Sequence, residues 1–145
     1  MISWKETSVR YSDEDFVKSY DLEVIESSYL IEDIDRAFQV WKTAPWYKEV
    51  SFEMFCRYIL PYRVSDEQLV EHWRDSLIQD YAGCIRGVTD MKQAFALLAR
   101  AVDKELRSAS SKCPYLLDVL TMRDARFSRC EQRCIVTGNV MRALG

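Results

Sequence analysis

The residue most suited to covalent chemistry is Cys130. It opens the stretch CEQRCIVTGNVMRALG, residues 130–145, at the start of a strongly apolar helical pattern. The first-turn amides of a helix lack partners and carry partial positive charge, which favours a thiolate over a thiol. Arg129 and Arg133 flank the cysteine and act in the same direction. One reading is a nucleophilic cysteine. The other is a small buried thiol, because free cysteine is among the most buried residue types. On residue chemistry alone the buried thiol has the better case.

A cysteine nucleophile needs a base, and the base needs an orienting group. The sequence contains one histidine, His72, which sits beside Trp73 on a helical pattern. It reads as a structural histidine. The other cysteines are Cys56, Cys84, Cys113 and Cys134. The odd total of five cysteines and the lack of a CxxC spacing support neither a disulfide framework nor a zinc finger. Cys130 and Cys134 lie four apart and would share a helix face, yet too few further ligands exist for a metal site. No cofactor motif is present: there is no Gly-rich phosphate loop, paired-His set or Ser-centred elbow.

The same segment resembles the cysteine helix of the transglutaminase-like superfamily. That pattern runs glycine, any residue, the nucleophilic cysteine, three residues, a small residue, an apolar helical run, then Arg-Ala-Leu-Gly. Here Cys130 takes the nucleophile position and Cys134 the small one. The ending is Arg142, Ala143, Leu144 and Gly145, with 142 − 130 = 12 residues from cysteine to arginine. The glycine two positions before the cysteine is replaced by Ser128. A wider resemblance spans Tyr29 to Arg74, through YLIEDIDRAF, PWYKEVSFEMFCRYILPYRV and EHWR. These are similar to the helical region preceding the core in a family of uncharacterised bacterial proteins, many of them exported.

The resemblance implies attack of Cys130 on an amide carbonyl and an acyl-thioester intermediate. It implies a His and then an Asp on strands after the cysteine helix, and a β-sheet on which that helix packs. Neither follows Gly145 in this chain. The expectation is a fragment: residues 1–129 as a helical region, and 130–145 as the opening of a core whose remainder is absent. Such a fragment would lack triad catalysis, leave its last helix poorly covered, and self-associate through it. The alternative is a non-catalytic module binding peptide or glycan through a degenerate core, which the Ser128 departure favours slightly.

Composition sets the frame for these residues. An apolar content of 48% over 145 residues suffices for one globular domain. Only 4 Gly and 3 Pro argue for long regular elements. A net charge of −3 gives no reason to expect nucleic acid, and no run is long enough to span a membrane. The opening ISWKETS reads as a mid-chain start rather than a signal peptide. Residues 11–40 hold nine acids and two bases, whereas 100–145 hold nine bases and five acids. Two solvated faces explain that split; a basic face toward an anionic ligand is the functional alternative.

The pattern predicts an all-α fold of six or seven helices around one core. A short helix starts at Ser12. Leu22, Ile25, Tyr29, Ile34, Ala37, Phe38 and Trp41 predict one helix, or two broken near Ser27-Ser28, ending before Pro45. Ser51 caps a helix over 52–60, for which a strand is the α+β alternative. Ser65 and Gln68 form a capping box for a helix carrying Leu69, Trp73, Leu77 and Tyr81. Asp90 starts another, with Met91, Phe95, Leu98, Val102 and Leu106 facing inward. Pro114 opens a short helix over PYLLDVLTMR. Trp41, Trp46, Tyr58, Tyr62 and Trp73 could line a peptide or carbohydrate groove, although such spacing is more often core. Arg63 and Arg74 could grip a carboxylate, or pair with neighbouring acids. Gly138, inside the last helix, needs a close-packed neighbour.

Overall fold

The computed structural model describes residues 20–108 and 117–145, so the helix expected at Ser12 and the region around Cys113 and Pro114 lie outside the described residues. The fold is all-α, with one very short pair of strands.

Helix α1, Asp21–Val24, is separated from α2, Ser27–Thr43, by extended backbone at Ile25 and Glu26. The break therefore falls just before the two serines. Asp33, Ala37, Val40 and Trp41 form the buried stripe of α2 at helical spacing. Ala44 turns extended, as a residue preceding proline should.

The 50–60 segment is helical. Ser51 accepts a hydrogen bond from the Met54 amide at 3.2 Å and starts α3, Phe52–Met54. The chain then widens into a π turn, Phe55–Ile59, closed by the Leu60 amide on the Phe55 carbonyl at 2.9 Å. This turn buries Phe55 and Ile59 and leaves Phe52, Met54 and Tyr58 exposed.

The expected capping box at Ser65 and Gln68 does not form. Glu67 takes over the segment instead. It is buried, and its two carboxylate oxygens accept from the amides of Val64 and Ser65, each at 2.7 Å. Helix α4 begins only at Trp73 and runs to Tyr81, after His72 in the left-handed region at φ 54°. Trp73, Leu77 and Tyr81 share its buried face as predicted, while Leu69 lies outside the helix.

Helix α5, Met91–Glu105, is capped by Asp90, whose Oδ1 accepts from the Gln93 amide at 2.6 Å. Ala94, Leu98 and Val102 are buried, but Phe95 is 58% exposed, against expectation. Strand β1, Arg107–Ser108, pairs in parallel with β2, Phe127–Ser128. Between them α6, Val119–Ala125, starts on Asp118, which accepts from the Thr121 amide at 2.9 Å.

The last helix, α7, spans Cys130–Leu144 and lies at the centre of the fold, against α2, α4, α5, α6 and the π turn. Ile135, Val136, Val140 and Ala143 are buried by this same chain. That corrects the expectation of a poorly covered helix: its stripe is sealed by elements preceding it. Gly138 has the close neighbour its position requires, since a Cβ there would stand 2.9 Å from Val64 Cγ2. The core is two adjoining clusters. One joins α4, α5, α6 and α7; the other joins α2, the π turn and Ala94, and Ile78 and Ile85 touch both.

Candidate functional site

Cys130 is the first residue of a fifteen-residue helix, and its side chain is exposed. The buried-thiol alternative is thereby removed for this residue. The head of α7 is set by Arg129, in extended conformation, whose amide donates to Gln132 Oε1 at 2.9 Å. Upstream, β2 buries Ser128 almost completely, and its hydroxyl has no hydrogen-bond partner among the described residues.

The electrostatic setting differs from the expected one. Arg133 pairs with Asp103 and donates to the Leu106 carbonyl at 2.6 Å. Its charge is thus spent tying α7 to α5. Cys134, one turn on, is also exposed, as is Cys84.

His72 belongs to the other end of the molecule. Arg74, two residues on, donates to the Arg142 carbonyl at 3.0 Å, so the start of α4 lies against the tail of α7. Twelve residues at roughly 1.5 Å each put that tail about 18 Å from Cys130 along the helix axis. His72 is exposed and its Nδ1 contacts Glu32 at 2.6 Å. Glu32, His72 and Asp75 bring one ligand atom each within 4.8 Å of one another, but Arg36 already pairs with Asp75.

The tail of α7 is a polar clamp. Arg74 is buried and holds Asp33 through two contacts, Nε to Oδ1 at 2.8 Å and Nη2 to Oδ2 at 3.2 Å. It also donates to the carbonyls of Ile59 and Leu60. Arg142 donates to the Tyr58 carbonyl at 3.0 Å and to that of Arg63. Burial, and then the nearby Arg74, lower the pKa of Arg142. Burial pushes the Glu67 carboxyl upward, but hydrogen bonds from Val64, Asn139 and Ser65 outweigh it and hold it below the usual range. Burial, with Asp33 adding, raises the Tyr29 hydroxyl to about 12. Arg63 and Arg74 thus pair with chain acids, Asp21 and Asp33.

Beside this clamp is an apolar groove of about 420 Å³ between α5, the π turn and α7. Of the five aromatics expected to line a groove, Trp46 and Tyr58 do so. Trp41 and Trp73 are core, and Tyr62 bonds Asp21 at 2.8 Å. The groove itself was hidden in sequence, because Phe95 and Met54, on its walls, sit at positions whose spacing suits a core. Among the described residues no helix is long and apolar enough to cross a membrane. Comparison with family models, with curated proteins and with solved structures found no match to this chain.

Proposed function

We propose that this chain carries the nucleophile-bearing helix of a transglutaminase-like cysteine hydrolase or acyltransferase, with the preceding helices as its scaffold. One observation carries the reading: Cys130 is presented in the open at the first position of a fifteen-residue helix whose far end is fixed in the core.

In the proposed step the Cys130 sulfur attacks an amide carbonyl. A C–S bond forms, the C–N bond breaks, and the amine departs with a proton from the base that took the thiol's proton. Water or a second amine then releases the acyl group. No histidine of this chain can be that base, given the position of His72. The proposal requires a base and an orienting carboxylate beside the head of α7, and His72 does not supply the base.

Site-resolved labelling with a brief maleimide pulse tests the assignment. Cys84 and Cys134 are exposed as well, so exposure alone does not single out Cys130. Cys130 should label several-fold faster than both. Equal rates at the three positions would remove Cys130 as a nucleophile.

A further inference from the structure

The apolar groove has no part in that chemistry. It lies at the tail of α7, the end opposite Cys130, and its walls include Trp46, Met54, Tyr58, Met91, Phe95 and Met141. Its volume of about 420 Å³ falls inside the roughly 300–1,000 Å³ range of small-molecule sites. Phe95 and Tyr58 are more than half exposed at its edge. Large apolar side chains left in water around a concave surface mark a binding site rather than a packing remainder.

Among the described residues one charged side chain lines the groove, Arg142. It forms no ion pair among the described residues and uses its guanidinium on backbone carbonyls of the 58–63 segment. Its partly buried cation therefore stands at an otherwise apolar wall without a bound carboxylate. A ligand that complements both features has an apolar chain and one anionic head.

We propose that the groove binds a medium-chain fatty acid, the chain along Met54, Met91 and Phe95 and the carboxylate at Arg142. A glycan is a poorer fit, because the walls offer few groups that could bond its hydroxyls.

Trp46 lines the groove with its indole N–H fixed on the Gly145 carbonyl, so its emission reports occupancy. The test titrates the full chain with decanoate, decanol, decylamine and acetate, each below its micellar concentration, and repeats the decanoate series on Trp46→Phe to assign the signal. Decanoate should saturate at one equivalent and bind at least tenfold tighter than decanol. Decylamine should be weakest of the three long chains, and acetate silent. Arg142 also supports the fold, so the selective variant is Met54→Asp at the exposed edge, which should weaken decanoate at least tenfold with the helical circular dichroism unchanged. Equal binding of decanoate and decanol overturns the role of Arg142. Full-strength binding to Met54→Asp overturns the site. No saturable decanoate signal, or binding of an apolar tripeptide in its place, overturns the ligand class.

Discussion

Arg74 and Asp33, 41 residues apart, meet through two nitrogen–oxygen contacts in an interior where both are nearly inaccessible. The pair ties α2 to α4, and the remaining guanidinium donors reach the π-turn carbonyls and the tail of α7. Losing one partner strands a charge, and a buried pair broken that way costs about 3–5 kcal/mol. Asp33→Asn should lower the urea midpoint accordingly. The double variant Asp33→Leu with Arg74→Met should recover much of that loss, because a matched apolar pair leaves no stranded charge. Chemical denaturation of all three proteins checks both statements.

Glu67 gives the fold a specific acid sensitivity. Its folded pKa lies below the unfolded value near 4.5. A carboxyl lowered in this way stabilises the fold above the unfolded value, and that contribution is lost as pH falls through the folded one. The urea midpoint should therefore drop below about pH 4.5 in the wild type. In Glu67→Gln that part of the slope should vanish, along with some stability at neutral pH. Denaturation across pH 7 to 3 compares the two.

Gly138 is required by a neighbour. Adding a methyl meets Val64 Cγ2 at 2.9 Å. Overpacking costs about 1–3 kcal/mol, against roughly 1 kcal/mol gained from helix propensity. Gly138→Ala should be neutral to destabilising alone. With Val64→Ala beside it the clash disappears, so the two substitutions should be non-additive in a thermal-melt cycle.

Asp90 caps α5 through the Gln93 amide. Asp90→Ala should cost about 1 kcal/mol, and Asp90→Asn much less, since amide oxygen also accepts. Melting curves of the two variants separate the cap from simple charge loss.

Local signals explain what the sequence revealed. Ser51 and Asp90 are helix starts whose partners lie three residues away, so a short window contains the whole interaction. The inward residues of α4 follow from spacing for the same reason. Glu67 defeats such a window. Its carboxylate takes the nearby Val64 and Ser65 amides, but it is buried beside Asn139, 72 positions away, and no short window contains that partner. Phe95 fails likewise: it stands exposed on the groove wall with Met54 and Tyr58, residues far from it in sequence. At the site, the place of Cys130 was legible because a helix start is local. The engagement of Arg133 by Asp103 was not, and it needed α5 and α7 side by side.

The two ends of α7 differ in how they are held, with a consequence for how this scaffold can vary. Arg74, Asn139 and Arg142 fasten the tail, whereas Cys130 and Cys134 at the head are exposed. Arg133, one turn in, ties the head to α5, but Cys130 itself carries none of these contacts, so the proposed chemistry and the fold rest on separate residues. A lineage could exchange Cys130 for serine or alanine at little cost to folding, and the same architecture would persist without the proposed chemistry.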